Sequence, residues 1–178
     1  MADELYKKEL NPEVIFSACE QVMRKVKGSY SVLYLADSGE KPYLFAMTDP
    51  RKVRPLALGR ANGTYCLASE TRVFKKINFE YVKDIPGGSV IVIDPKGTIY
   101  EKQIIKKQEL PCMFEFVYFA KPDSRINGRS IHTTRQEIGR LLARPVCRFE
   151  ARHGLTVREP PAEVFLQQRN GDRMRGLD

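Results

Sequence analysis

The sequence predicts an α+β fold in which mainly antiparallel strands are flanked by helices. Between residues 30 and 104, short apolar segments alternate with turn signals, such as the Asn-Gly pair at residues 62–63. This alternation is typical of antiparallel strands joined by tight turns. On either side of that region, apolar residues recur at helical spacing. Hydrophobic residues make up 42% of the 178 residues, enough for one domain with a sizeable core.

The first predicted helix begins at Asn11 and ends at Gly28. Asn11 is a favourable N-cap, and Pro12 suits the first helical position. The apolar residues that follow recur every three or four positions, with charged residues on the opposite face. Cys19 falls on the apolar face, where a buried, inert thiol is a better interpretation than a nucleophile.

A series of strands with one helical turn is predicted next. The first two strands form a hairpin around residues 37–40, and the later turns are rich in Gly, Pro, Asn and Asp. The predicted strands span residues 30–36, 42–47, 56–59, 64–68, 79–82, 89–93 and 98–104, and the helical turn spans residues 69–76.

An apolar and aromatic run at residues 113–119 follows the strands. Glu115 is the only charged residue in it, and so short and hydrophobic a run is expected to be buried on more than one side. The Lys-Pro-Asp-Ser sequence at residues 121–124 predicts a loop, which a further Asn-Gly pair extends. An amphipathic helix is predicted after that loop, with Ser130 or Thr133 as its cap.

Composition narrows the classes of function. The net charge of +8 would suit an acidic partner, but basic and acidic residues are interleaved and no nucleic-acid motif accompanies them. Solvated surface faces are therefore favoured over a nucleic-acid groove. No apolar run approaches the roughly 20 residues of a membrane span, and the N-terminal residues are charged, so a cytoplasmic location without a membrane partner is predicted.

The cysteines give no sign of a disulfide framework or a zinc site. No Cys-X-X-Cys pair occurs, and the cysteines are scattered along the chain, which favours free thiols in a reducing compartment. They are Cys19, Cys66, Cys112 and Cys147.

The string at residues 112–124 has a recognisable order. It reads Cys-Met-Phe-Glu-Phe-Val-Tyr-Phe-Ala-Lys-Pro-Asp-Ser and is followed by Asn-Gly and then by Gly-Arg-Leu-Leu-Ala. This order resembles the segment that joins the two halves of amidophosphoribosyltransferase, the glutamine phosphoribosylpyrophosphate amidotransferase that opens purine synthesis. A generic apolar run before a helix would explain the composition but not the order.

Earlier segments resemble successive landmarks in the second half of that family's glutaminase domain. They are residues 28–31 (Gly-Ser-Tyr-Ser), 48–50 (Thr-Asp-Pro), 54–59 (Arg-Pro-Leu-Ala-Leu-Gly), 68–70 (Ala-Ser-Glu) and 85–88 (Ile-Pro-Gly-Gly). The resemblance implies a partial N-terminal-nucleophile hydrolase fold of the class II glutamine amidotransferase type, with two antiparallel sheets packed between helical layers. One landmark departs from the family pattern, because residues 51–53 contain no glycine where the family usually has one.

The resemblance also divides the chain. Residues 1–143 are the partial glutamine amidotransferase-like domain, of which residues 111–143 are the family's inter-domain stretch. Residues 144–178 are a divergent tail that contains arginine but no lysine and is expected to be poorly packed or disordered. A frame change or recombination is one explanation of this tail, and a short lineage-specific helix at residues 162–169 is another.

The groups that carry catalysis in this family have no counterpart in the sequence. The family hydrolyses glutamine with a cysteine whose own α-amino group is the base, so that cysteine must come first in the chain. Here the sequence begins Met-Ala-Asp, and the first cysteine, Cys19, lies in the predicted helix. The paired aspartates and phosphate loop of a phosphoribosyl pyrophosphate site are missing too. We therefore assign no catalytic and no cofactor-binding residues and expect no cofactor.

The resemblance thus predicts a truncated or degenerate amidophosphoribosyltransferase-like protein that is inactive alone. Its apolar faces would lack their cover, so the expected partner is a second copy in a homo-oligomer or a second chain that completes the fold. In a split enzyme that second chain would supply the nucleophile. The alternative is a basic binding or regulatory module for RNA or a phosphorylated ligand, using Arg51, Lys52, Arg54, Lys75 and Lys76.

Three more residues need an interpretation. Cys112 matches one ligand of the iron–sulfur cluster that some family members carry. The other family ligands have no counterpart, and a cluster needs about four thiolates, so we interpret Cys112 as a relic of a metal site. Asp123 and His132 could suggest a catalytic pair, but without a nucleophile a capping role for Asp123 and a surface position for His132 are favoured.

Overall fold

The computed structural model describes residues 10–37 and 42–153, and within residues 144–153 it describes the helical backbone. The fold is α+β with antiparallel sheets, as the sequence predicts. In chain order the elements are α1 (Pro12–Lys25), β1 (Ser31–Ala36), β2 (Tyr43–Thr48), β3 (Ala57–Ala61), β4 (Thr64–Ala68), α2 (Arg72–Lys76), β5 (Glu80–Asp84), β6 (Ser89–Ile93), β7 (Ile99–Gln103), a π-helix (Glu115–Phe119), β8 (Arg125–Ile126), β9 (Arg129–Ser130) and α3 (Ile131–His153).

Helix α1 begins as predicted and ends earlier than predicted. The Asn11 side chain accepts a hydrogen bond from the Val14 N–H at 3.0 Å, and proline follows as the first helical residue. The last helical residue is Lys25, because Val26 is already extended. Gly28, where the sequence predicted the end, has φ +119 and allows the chain to turn toward β1.

A four-stranded sheet forms the centre of the fold. Its strand order is β1-β2-β6-β7, and every neighbouring pair is antiparallel. Side chains alternate between its two faces, so one face packs on α1 and the other faces a second sheet. The core on the α1 side contains Ile15, Phe16, Cys19, Met23, Phe45, Met47, Val90 and Val92.

The second sheet has the order β4-β3-β5 and is also antiparallel. A second apolar core joins the two sheets and contains Ala46, Leu56, Leu58, Leu67, Ile85, Ile91 and Ile93. On the far side of this sheet, Phe74 of α2 lies against Gly59, where a Cβ atom would stand 2.6 Å from the phenyl ring. The layers therefore follow the order helix, sheet, sheet, helix.

The predicted strands are confirmed with shifts of one or two residues at their ends, and so are the predicted turns that lie within the described residues. Asn62 and Gly63, at φ 47 and φ 78, form the tight turn between β3 and β4. Asn127 and Gly128, at φ 50 and φ 74, form the corresponding turn between β8 and β9. The helical turn predicted at residues 69–76 is the shorter helix α2.

The prediction that the run at residues 113–119 is buried on more than one side is wrong. Its C-terminal part is a π-helix, and the buried member of the run is Glu115. Tyr118 is 77% exposed and Met113 is 67% exposed. The helical winding turns the Glu115 carboxylate inward, toward a partner that is distant in sequence. Most of the apolar side chains consequently point outward.

Helix α3 begins after Ser130, whose Oγ accepts the Thr133 N–H at 3.4 Å, so Ser130 is the cap. The helix continues past residue 143, where the sequence predicts a boundary, and that boundary stays a prediction. Predictions for residues 1–9, 38–41 and 154–178 lie outside the described residues. Among the helices that the structure describes, none is long and apolar enough to span a bilayer.

Candidate functional site

Three segments singled out in the sequence meet at one buried carboxylate, that of Asp49. Its Oδ2 accepts the backbone N–H groups of Tyr30 at 3.3 Å and Val53 at 3.1 Å, and its Oδ1 accepts that of Arg51 at 2.9 Å. The carbonyl oxygen of Asp49 accepts the Gly88 N–H at 2.9 Å. Residues 28–31, 48–50 and 85–88 are thus held together by hydrogen bonds to one residue.

Lys52 explains how the loop after Asp49 forms without the expected glycine. Its φ of 48 lies in the left-handed region, which glycine adopts most easily. The Lys52 side chain is buried, and its Nζ donates to Asn127 Oδ1 at 2.7 Å and lies 4.0 Å from Glu109 Oε2. The lysine therefore keeps the left-handed turn and ties the loop to the β8–β9 turn.

We expect Lys52→Ala to lower the free energy of unfolding by about 1 to 2 kcal/mol, because it removes the hydrogen bond to Asn127 but keeps a side chain at positive φ. Lys52→Gly removes the same bond and also the left-handed strain, worth about 1 kcal/mol. The glycine variant should therefore be the more stable of the two by about 1 kcal/mol in urea unfolding. Equal stability would show that residue 52 is not held in the left-handed region.

A second junction links the start of α2 to the loop at residues 121–125. Glu70 Oε2 accepts the Lys121 N–H and the Ser124 hydroxyl, both at 3.1 Å, and Thr71 Oγ1 accepts the Arg125 N–H at 2.8 Å. The Ala-Ser-Glu and Lys-Pro-Asp-Ser segments, far apart in sequence, are thus in direct contact. Both carry the family resemblance.

Asp123 and His132 do not form a catalytic pair. Asp123 forms an ion pair with Arg72, at 3.4 Å between Oδ2 and Nε, rather than capping a helix as predicted. His132 is exposed, as predicted, and its backbone N–H donates to the Pro122 carbonyl at 3.1 Å.

The π-helix is fixed from two sides. Arg54 Nη1 donates to Glu115 Oε1 at 2.7 Å, and its guanidinium lies 5.3 Å from the centre of the Phe119 ring. From α3, Arg135 donates to the carbonyl oxygens of Phe116 and Ala120 at 2.8 and 2.7 Å. The one sequence signal for this arrangement was a lone carboxylate in an apolar run, and nothing nearby in sequence identified Arg54 as its partner.

This fixed segment presents an aromatic surface, which we define as Met113, Phe114, Val117, Tyr118 and Phe119. All of them are exposed. Neighbouring exposed apolar groups of this size are characteristic of surfaces that bind another protein or domain. Two leucines of α3, Leu141 and Leu142, are also exposed. This exposed apolar surface is therefore the candidate functional site.

Two of the described thiols, those of Cys19 and Cys66, are poor nucleophiles. Burial raises the pKa of Cys19 from 9.0 to about 12, so the thiol stays protonated near neutral pH. Burial also raises the pKa of Cys66. Cys112 is half-buried and free, and no group of three or more His, Cys, Asp or Glu side chains in the described part of the chain could hold a metal ion.

The Cys19 thiol should make stability fall at high pH. Below pH 9 the thiol is protonated in both the folded and the unfolded state, so its contribution to the free energy of unfolding is fully present. Between pH 9.0 and about 12 the unfolded thiol ionises while the folded one does not. The free energy of unfolding should therefore drop by about 1.4 kcal/mol per pH unit. Urea unfolding of the wild type and Cys19→Ala isolates this term, since the variant should lack the extra slope. Parallel pH profiles would contradict the assignment.

The residues proposed for a basic binding face are not all available. Lys52 is buried and Arg54 pairs with Glu115, so both have internal partners. Arg51, Lys75 and Lys76 are exposed. Two of the five cations in that set therefore stabilise the fold.

Comparison with known sequences identifies a family. The chain is 35% identical over 151 residues to the amidophosphoribosyltransferase of Pasteurella multocida, a match that covers 82% of this chain and 29% of that protein. It is 36% identical over 156 residues to the amidophosphoribosyltransferase of Mycobacterium tuberculosis, covering 86% and 28%. No family model matches the chain.

Solved structures agree with the sequence comparison. The glutamine phosphoribosylpyrophosphate amidotransferase of Bacillus subtilis, complexed with ADP and GMP, superposes with a TM-score of 0.67 at 26% identity, over 79% of this chain and 30% of that one. A structure described as the allosteric regulatory enzyme of purine biosynthesis superposes with a TM-score of 0.66 at 25% identity. The chain is therefore homologous to the amidophosphoribosyltransferase family over most of its own length, and it spans less than a third of the length of the relatives that it matches.

Proposed function

We propose that this chain is the scaffold part of a glutamine-dependent amidophosphoribosyltransferase of purine biosynthesis. In this proposal, residues 1–143 are the second half of an N-terminal-nucleophile glutaminase domain, followed by the divergent tail at residues 144–178. The chain holds the fold and the inter-domain surface, and a different stretch of polypeptide supplies the nucleophile and the phosphoribosyl site. The assembly would work in the cytoplasm.

The observation that carries this proposal is the aromatic surface, which is exposed on a π-helix that Arg54 and Arg135 hold by hydrogen bonds. A degenerate remnant would have no reason to keep exposed rings in a fixed position, because exposed apolar groups promote aggregation. Here Arg54 and Arg135 hold the π-helix in place by hydrogen bonds. Its exposed rings contact one another and the Arg54 guanidinium, and they remain open to solvent. The geometry suits a surface that a larger assembly covers.

The state of Cys19 supports dependence on a second source of nucleophile. A thiol with a pKa of about 12, packed among apolar side chains, cannot reach glutamine or form a thiolate at neutral pH. On its own, the chain should therefore not hydrolyse glutamine.

The test is reconstitution of activity. The purified chain is assayed for ammonia release from glutamine, alone and after co-expression with the part of the Pasteurella multocida relative that lies outside the matched residues. We expect no activity alone and glutaminase activity in the complex. The control replaces the nucleophilic cysteine of the added fragment with serine, which should abolish that activity.

Two outcomes would overturn the proposal. One is glutamine hydrolysis by the chain alone that disappears in Cys19→Ala, because the nucleophile would then be internal. The other is a stable complex with the added fragment that shows no glutaminase activity above the serine control.

A further inference from the structure

The two edges of the four-stranded sheet have different compositions. Strand β7 reads Ile-Tyr-Glu-Lys-Gln, and its charges protect an edge from pairing with other strands. Strand β1 reads Ser-Val-Leu-Tyr-Leu-Ala and carries no charge, proline or glycine. By composition, β7 is a true edge strand and β1 is an interior strand without a neighbour on its outer side among the described residues.

The backbone of β1 offers its hydrogen-bonding groups on that outer side. Tyr30 directs both its N–H and its C=O toward Asp49, at the start of the β1–β2 pairing. Backbone groups alternate sides along an antiparallel ladder, so Val32 and Tyr34 also bond toward β2. Leu33 and Leu35 therefore direct their N–H and C=O groups away from the sheet.

The side chains of the same two leucines also lack cover. Leu33 pairs with Ala46 across the β1–β2 ladder and shares its face, which is the face toward the second sheet. Leu33 is nevertheless 45% exposed and Leu35 is 72% exposed. The sandwich is thus open beside β1, both along the strand edge and above its inner face.

We propose that a partner strand extends this sheet at β1, and that the partner also covers Leu33 and Leu35 with apolar side chains. This proposal rests on the proposed function. The added strand and the covering apolar side chains both belong to the part of an amidophosphoribosyltransferase that this chain does not span. That occupant is an extended segment with apolar residues at every second position and no proline at the bonding sites, followed by a second apolar element.

A second copy of this chain fits the opening less well. Two β1 strands could pair antiparallel about a twofold axis perpendicular to the sheet. That axis would place Leu33 and Leu35 of both copies on the same face, so the uncovered apolar strip would double in size. Only a partner that brings a covering layer satisfies both the backbone groups and the side chains.

Residue-resolved amide hydrogen exchange tests the inference. The probe is the part of the Pasteurella multocida relative outside the matched residues, co-expressed with the 178-residue chain. In the chain alone, Leu33 and Leu35 should exchange rapidly while Val32 and Tyr34 are protected by β2. In the complex, all four amides should be protected.

Substitution gives a second readout. Leu35→Lys places a charge on the pairing edge, and because the side chain is largely exposed the variant should fold. It should weaken binding of the same probe by about 100-fold. Val82→Lys, a matched change at an exposed position of β5 in the second sheet, lies outside both proposed surfaces and should leave the protection of Leu33 and Leu35 in the complex unchanged.

The remaining outcomes are decisive. Protection of the Leu33 and Leu35 amides in the chain alone would overturn the inference. A monomeric mass in solution would then show that the chain itself covers this edge, and a dimeric mass would show that a second copy does. Glutaminase activity in a complex without protection at these amides would also overturn it while leaving the proposed function intact. Protection without activity would support the inference while refuting the proposed function.

Discussion

Replacing Asp49 with alanine is expected to lower the free energy of unfolding by about 3 to 4 kcal/mol. The carboxylate accepts three backbone N–H groups, from Tyr30, Arg51 and Val53, and it is almost completely buried. Alanine leaves those donors without an acceptor, at a cost of about 1 kcal/mol or more each. Urea or thermal unfolding measures the loss.

Asp94 provides the control for this substitution. It also accepts backbone N–H groups, from Lys96 at 2.9 Å and Thr98 at 2.8 Å, but in an exposed turn where water can replace the carboxylate. Asp94→Ala should therefore cost about 1 kcal/mol or less. If both variants lost the same stability, burial of the Asp49 carboxylate would not be the reason for its effect.

Asp49 also connects the two surfaces that we assign to partners. Tyr30, which it bonds, leads into β1, and the Ser31 hydroxyl donates to the Arg54 carbonyl at 3.0 Å. Arg54 in turn holds Glu115 of the π-helix. The open edge of the sheet and the aromatic surface are thus joined by a short series of polar contacts, so a partner that binds both would meet a rigid surface.

Local signals in the sequence predicted much of the fold. Asn11 with Pro12 determines the helix start, because the cap is a contact over three residues. The Asn-Gly pairs determine two turns, because positive φ is a property of those residues themselves. Strand positions followed from short apolar runs between such turns.

The candidate functional site depends on contacts between residues far apart in sequence, which no local sequence signal reveals. Glu115 is buried because Arg54, 61 residues earlier, reaches it, and Lys52 is tied to Asn127 across 75 residues. A pattern of apolar residues cannot show that a carboxylate, rather than the rings around it, will face inward. The aromatic run was therefore predicted to be buried, whereas the fold buries its one charge and exposes its rings.

The family resemblance supplied what periodicity could not. It identified the segments at residues 48–50, 68–70, 85–88 and 112–124 before their contacts were known, and the structure brings them together in pairs. It also marked residues 51–53 as a departure, and the left-handed Lys52 gives that departure a physical explanation. A sequence pattern that specifies order thus carries information about long-range packing.

Gly88→Ala is expected to be the most damaging single methyl addition in the described part of the chain, lowering the free energy of unfolding by about 3 to 5 kcal/mol. Gly88 has φ +67, and a Cβ atom there would lie 1.9 Å from the carbonyl oxygen of Ile105. That neighbour is backbone, so no side chain can rotate away. The Gly88 N–H and C=O also bond Asp49 and Ile104, at 2.9 and 2.8 Å.

Gly63→Ala separates the two causes of this loss. Gly63 has φ +78 but no atom within 4 Å of its Cβ position, so alanine there should cost only the left-handed strain, about 1 kcal/mol. Thermal unfolding of both variants gives the comparison. If Gly88→Ala lost no more stability than Gly63→Ala, the backbone at Ile105 would be able to move away from the added methyl group. In that case the loop around Asp49 could not act as the rigid link between the open sheet edge and the aromatic surface.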